Sequence, residues 1–185
     1  INSDKSEFIA VYGRRRVGKT FLIRNMFEGQ FTLTFSGVSR SNTKTQIASF
    51  NAKLRQHPFG GESLSDANTW MAAFENLREI LNKDSRKTKI IFIDELPWLD
   101  TKNSGFMAAL EYFWNEWAGT RGDIKLIVCG SAASWMIENL IKNKAGLYNR
   151  VTNKIKLNPF TLHEVKLYLK EKGCSYDDYQ IILIY

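Results

Sequence analysis

Gly13-Arg-Arg-Arg-Val-Gly-Lys-Thr20 is the stretch whose reading decides how this 185-residue chain folds. It matches GxxxxGK[ST] in full. At a glycine frequency of about 7%, a chance match in a chain this long is an event of roughly one per cent. The flanks carry as much weight. Glu7-Phe-Ile-Ala-Val-Tyr12 is a short apolar run and reads as a buried strand. After the loop, apolar residues at 22, 23, 26 and 27 have helical spacing. A glycine loop between a strand and a helix can wrap close to an anion with no Cβ in the way. It also turns consecutive N–H groups and the positive end of the helix toward that anion. The plainer alternative, a glycine turn before an ordinary helix, is outweighed by the full motif in this context.

Outward from the loop, strands and helices alternate. Phe31-Thr-Leu-Thr-Phe35 alternates as a strand, and Ser41 to Gln56 reads as a helix with Ile47, Phe50 and Leu54 on one face. A loop with Pro58, Gly60 and Gly61 follows. Asp66 is then the expected cap of a helix whose Trp70, Phe74, Leu77 and Leu81 fall on one stripe. Lys89-Ile-Ile-Phe-Ile-Asp94 and Lys125-Leu-Ile-Val-Cys-Gly130 have the continuous apolar runs of strands covered on both faces. Phe106, Leu110, Phe113 and Trp117 mark a helix between them, and another is expected over about 132–141. Lys154 to Leu157 reads as a short strand, with a helix over about 162–172 after Pro159. The alternation predicts an α/β fold with a parallel sheet between helical layers.

Ile90-Ile-Phe-Ile-Asp-Glu95 supplies a second constellation, 75 residues beyond Lys19 when counted to Asp94. A carboxylate at the end of a buried strand needs a cationic partner. Magnesium, reached through a water, suits Asp94; Glu95 points elsewhere and can take a proton from an attacking water. In the loop, Lys19 would bridge the β- and γ-phosphates of ATP, and Thr20 would give its hydroxyl to Mg²⁺. The expected nucleotide contacts are thus Gly13, Arg14, Arg15, Arg16, Val17, Gly18, Lys19, Thr20 and Phe21, with Thr20 and Asp94 on the metal. Ser131, after the strand ending at Gly130, either stands near the γ-phosphate or caps the following helix, and both roles are compatible. Arg150 is the candidate for the guanidinium that phosphoryl transfer calls for, against an ordinary surface role.

With these three stations in order, the chain resembles the archaeal-type ATPase family. That family belongs to the signal-transduction ATPases with numerous domains (STAND), relatives of the AAA+ proteins. Val11-Tyr-Gly-Arg-Arg-Arg-Val-Gly-Lys-Thr20, Ile93-Asp-Glu-Leu-Pro-Trp98 and Leu157-Asn-Pro-Phe160 carry the resemblance, which runs from Glu7 to Tyr185. It implies a three-layer P-loop NTPase sandwich with strand order 5-1-4-3-2. It also implies ATP hydrolysis coupled to a conformational switch, with Glu95 as catalytic base. Residues 1–175 would form the core and 176–185 the start of a truncated helical lid. The family's leading Gly-Arg-x-x-Glu element, which helps to hold adenine, is not found ahead of the first strand. The alternative is a non-hydrolysing nucleotide module that docks a partner such as DNA, with DNA or protein partners reached through downstream domains.

Composition agrees with a globular chain and excludes several classes. It is 44% hydrophobic and 24% charged, with twelve Phe, seven Tyr and five Trp, which argues against disorder. No apolar run nears the ~20 residues that cross a bilayer, so no membrane partner is expected. Cys129 and Cys174 stand 45 apart without metal-ligand spacing, and a reducing cytoplasm is the expected compartment. His57 and His163 likewise lack such spacing and read as structural. The net charge is +7, of which residues 138–172 supply +5 through eight Lys/Arg against three Glu. Such a stretch is either a solvated face or a weak nucleic-acid surface.

Overall fold

The computed structural model describes residues 4–61, 64–142, 146, 147 and 149–184. Of the stretches named above, 1–3, 62–63, 143–145, 148 and Tyr185 lie outside the described residues. Five strands, β1 (Glu7–Tyr12), β2 (Phe31–Ser36), β3 (Lys89–Asp94), β4 (Ile124–Gly130) and β5 (Asn153–Lys156), form one sheet. All pairings are parallel and the order is β2-β3-β4-β1-β5, the 5-1-4-3-2 arrangement read in reverse. The central strands β3 and β4 are buried along their whole length, as their unbroken apolar runs require.

Side chains alternate between two cores, as period two dictates. Phe8, Ala10, Leu33, Phe35, Ile91, Ile93, Leu126 and Val128 face one side. There they meet Phe50, Trp70, Phe74, Leu77, Phe106 and Phe113 from α2 (Thr43–Arg55), α3 (Trp70–Lys83) and α4 (Phe106–Glu116). Ile9, Val11, Ile90, Phe92, Ile127 and Cys129 face the other side, where α1 (Lys19–Met26) contributes Ile23. The layers are therefore unequal: α2, α3 and α4, together with Met136 and Leu140 after β4, cover the larger core. Within it, Phe50, Trp70, Phe74 and Phe106 pack edge-on or tilted at centroid distances of 4.9–6.2 Å.

Several local expectations change. Thr69, not Asp66, caps α3, its hydroxyl accepting the Ala72 N–H at 3.2 Å. Asp66 pairs instead with Arg55 of α2, a contact that only the folded loop creates. The helix expected over 132–141 is one α-turn, α5 (Ala133–Trp135), running into a π-helical stretch Met136–Ile141. The edge strand β5 is exposed throughout. Beyond it, α6 (Leu162–Glu171) starts at a reciprocal cap, in which Thr161 accepts the Glu164 N–H and the Glu164 carboxylate accepts the Thr161 N–H. It packs against α7 (Asp178–Ile184), where Ile181 is buried while Tyr179, Ile182, Leu183 and Ile184 stay exposed.

Candidate functional site

Parallel strands deliver the residues that follow β1, β3 and β4 to the carboxyl edge of the sheet, the usual place for ligands in such folds. Gly13–Thr20, Glu95 and Ser131 meet there. Gly13 is needed for close approach, because a Cβ would lie 2.1 Å from the Leu157 carbonyl oxygen in the connection after β5. Gly18 sits at φ +87°, a left-handed conformation that puts its N–H at the head of α1 without steric cost. Its carbonyl accepts the first helical bond, from Leu22 at 2.8 Å.

Lys19 is 5% exposed, and its ammonium donates to the Gly13 and Arg14 carbonyls at 3.1 and 2.7 Å. It makes no ion pair among the described residues. The loop is thus wrapped round a buried cation held by neutral carbonyls, an arrangement that favours an incoming anion.

Thr20 donates its hydroxyl to Asp94 Oδ2 at 2.9 Å. The other oxygen, Oδ1, accepts the Glu95 N–H at 2.9 Å and the Cys129 thiol at 2.7 Å. Burial first, and then the Asp94 carboxylate, push the Cys129 thiol far above its usual pKa, so it stays protonated and donates. Thr20 and Asp94 form a pair of hard oxygen donors. Magnesium asks for one or two such protein ligands, with phosphate and water completing the shell, so the residues fit that ion. No cluster of three or more His, Cys, Asp or Glu able to hold a metal occurs among the described residues.

Glu95 adopts φ +48°, unusual for a residue with a side chain, at the turn from β3 into the 3₁₀ segment Leu96–Trp98. That turn swings its carboxylate away from Asp94 and toward the end of β4. There Oε2 accepts both the N–H of Ser131 at 3.0 Å and its hydroxyl at 2.9 Å. Ser131 therefore touches Glu95; the cap of α5 has no side-chain hydrogen bond, so the capping alternative is not realised.

Arg150 is not brought to this edge. It lies exposed in a turn before β5, where the Thr152 N–H bonds to the Phe8 carbonyl and Asn153 stands opposite Ile9, near the start of β1. The parallel pairing that places Lys156 beside Tyr12 sends Arg150 toward the far end of the sheet, away from the loop.

The sequence motifs do not disclose one further feature. A cleft of about 410 Å³ opens beside the loop, walled by Gly18, Phe21 and Leu22 on one side and Pro159, Phe160 and Tyr168 on the other. Phe21 and Phe160 are largely exposed. Only the isolated phrase Leu157-Asn-Pro-Phe160 hints at it, and Tyr168 carries no motif.

Fold and site together define a P-loop NTPase core. The chain belongs to the family described as the ATPase domain predominantly from Archaea, whose model matches residues 1–176. It is 30% identical over 167 residues to the uncharacterized protein MJECL04 of Methanocaldococcus jannaschii, covering 90% of this chain but 34% of that protein. The chain therefore spans about a third of that curated relative's length. Solved structures share the fold at 17% identity. The Walker-type ATPase PABY2304 of Pyrococcus abyssi superposes with a TM-score of 0.63, over 97% of this chain and 57% of its own. The STAND protein PH0952 of Pyrococcus horikoshii, with a tetratricopeptide repeat sensor, gives 0.61 over 98% and 25%. The Aeropyrum pernix ORC1 protein in complex with DNA gives 0.59 over 90% and 43%.

Proposed function

We propose that this domain binds ATP and hydrolyses it to ADP and phosphate with Mg²⁺, and that the change of nucleotide acts as a conformational switch. The observation that carries this is the division of two adjacent carboxylates, Asp94 bonded to Thr20 and Glu95 turned to Ser131. A module that only holds nucleotide has no need of the second.

The triphosphate would take over the Lys19 ammonium from the Gly13 and Arg14 carbonyls and accept N–H groups of the loop and of the head of α1. The adenine would enter the cleft between Phe21 and Phe160, whose apolar walls cover a flat ring by stacking. When bound between Thr20, Asp94 and the phosphates, Mg²⁺ would neutralise oxygen charge on the leaving diphosphate. Glu95, released from Ser131 or still sharing it, would accept the proton of the attacking water. Ser131 orients that carboxylate through two donors.

Phosphate release tests the reading. Wild type should hydrolyse ATP only with Mg²⁺, and Glu95→Gln should slow turnover by about 10²–10⁴-fold with binding near normal. Asp94→Asn should weaken binding and Mg²⁺ dependence together. Identical behaviour of the two variants in rate and binding would contradict the division of roles.

A second reading, a non-hydrolysing module docking nucleic acid, draws on Lys154 and Lys156, exposed on edge strand β5. Contacts to several phosphates would weaken steeply with salt. Tight duplex binding at physiological salt, without ATP turnover, would favour it.

A further inference from the structure

Hydrolysis of a phosphoanhydride gathers negative charge on the γ-phosphoryl oxygens and on the bridging oxygen that leaves with ADP. Lys19 is one cation at that place. Arg150, the sequence's candidate for a second, lies toward the opposite end of the sheet. Three arginines in the loop itself remain, and their surroundings differ. Arg14 turns its carbonyl inward to Lys19 at 2.7 Å. Arg16, at φ +66°, lines the apolar cleft on the base side. Arg15 goes the other way: its guanidinium carbon stands 5.8 Å from the centroid of the Trp98 ring.

Trp98 is tied to the catalytic carboxylate's own turn. Its N–H donates to the Glu95 carbonyl at 3.0 Å, and its carbonyl accepts from the side-chain amide of Gln46 at 2.9 Å. Gln46 is fully buried and also holds both backbone groups of Val38, after β2. On the opposite side, a Cβ at Gly37 would come within 3.0 Å of the Trp98 Cβ and 2.7 Å of the Glu95 carbonyl. Trp98 is therefore a fixed platform beside Glu95, and Arg15 rests on it from the phosphate loop. Arg15 is exposed and makes no ion pair among the described residues. An exposed guanidinium–ring contact is weak beside a charge-assisted bond to phosphate, so it can be exchanged for one.

We propose that Arg15 is a catalytic residue supplied in cis, leaving the Trp98 ring to contact the γ-phosphoryl oxygens as charge builds there. The step is balanced: a water oxygen forms a bond to Pγ, the bond from Pγ to the β–γ bridging oxygen breaks, ADP leaves with that electron pair, and Glu95 takes the water's proton. Arg15 exchanges no proton and acts through charge alone. This assignment rests on the ATPase reading above.

The test compares wild type with Arg15→Ala, Arg15→Lys and Trp98→Ala. Arg78→Ala serves as control, because Arg78 stands 5.9 Å from the Trp117 ring, well away from the loop motifs. Two quantities are read: steady-state ATP hydrolysis, and affinity for ADP with and without aluminium fluoride, which mimics the transferring phosphoryl group. Arg15→Ala should lower kcat by roughly 10³–10⁵-fold with KM within a fewfold of wild type, in the range that such arginines supply. It should bind ADP normally yet lose the gain in affinity that aluminium fluoride gives wild type. Arg15→Lys should recover only part, since a point charge lacks the planar fork. Trp98→Ala should keep most of kcat, and Arg78→Ala all of it. Normal kcat in Arg15→Ala overturns the assignment. So does an equal loss in Arg15→Ala and Trp98→Ala, which would make the contact a staple. Failure of wild type itself to hydrolyse ATP or to bind ADP with aluminium fluoride would remove the ATPase reading, and this assignment with it.

Discussion

The two ends of the same sheet handle charge in opposite ways. At the amino end, Lys89 is buried against Asp123 at 2.7 Å, Asp123 also holds Arg121 at 2.7 Å, and Lys125 faces Glu7 at 3.7 Å. Arg121 further covers the Trp117 ring at 4.7 Å. At the carboxyl end, Lys19 rests on carbonyls, Asp94 on a hydroxyl, an N–H and a thiol, and Glu95 on Ser131. The first set is closed by opposite charges. The second is held by neutral groups that a charged ligand can outbid, which is what a polar edge needs in order to bind and still fold without its ligand. Stability should therefore concentrate at one end and binding at the other.

The largest expected effect lies at the closed end. Asp123→Ala leaves Lys89, 4% exposed, without its carboxylate, and breaking one side of a buried pair costs about 3–5 kcal/mol. Urea unfolding should show that loss, while ATP affinity stays unchanged. Lys19→Ala should do the reverse. It should lose about tenfold to hundredfold in ATP affinity by calorimetry, the worth of one charged hydrogen bond at 1.5–3 kcal/mol, with little change in urea midpoint. Equal damage to stability in both variants would break the comparison.

A pH series sharpens it further. The Arg121 guanidinium chiefly, with Lys89 and against partial burial, holds the Asp123 carboxyl far below the usual carboxylate range. A depressed folded-state pKa contributes stability that is complete above the unfolded value of about 3.9 and is lost as pH falls below it. The stability gap between wild type and Asp123→Ala should thus narrow below about pH 4. A gap that stays constant from pH 7 to pH 3 would mean that the pair is not closed as described. The smallest effect belongs to Cys129→Ala, which takes one neutral donor from Asp94 and should weaken Mg²⁺-dependent ATP binding by no more than about tenfold, one hydrogen bond of roughly 1 kcal/mol.

Much of the binding end is legible in the amino-acid sequence, because short-range patterns carry it. They are the unbroken runs of β3 and β4, the glycine loop between β1 and α1, and a strand ending in Asp94-Glu95. Strand burial and loop chemistry are decided within a few residues. The features that sequence does not disclose depend on contacts made only on folding. Asp66 has the chemistry of a cap, yet Arg55 claims it from another helix and Thr69 takes the cap. Arg150 precedes the last strand in the chain, but parallel pairing puts the start of β5 beside the start of β1. The aromatic cleft joins residues 21, 160 and 168, and the Arg15–Trp98 contact joins two motifs 83 positions apart; neither has a local signature.

The most direct test of the contrast is the rise in melting temperature on adding saturating Mg·ATP, since a ligand stabilises only the state that binds it. Asp123→Ala, though it melts earlier, should gain as much from Mg·ATP as wild type does. Lys19→Ala, which should melt like wild type when alone, should gain little. A full ligand-induced rise in Lys19→Ala, or its loss in Asp123→Ala, would contradict the assignment of binding to one end of the sheet and stability to the other.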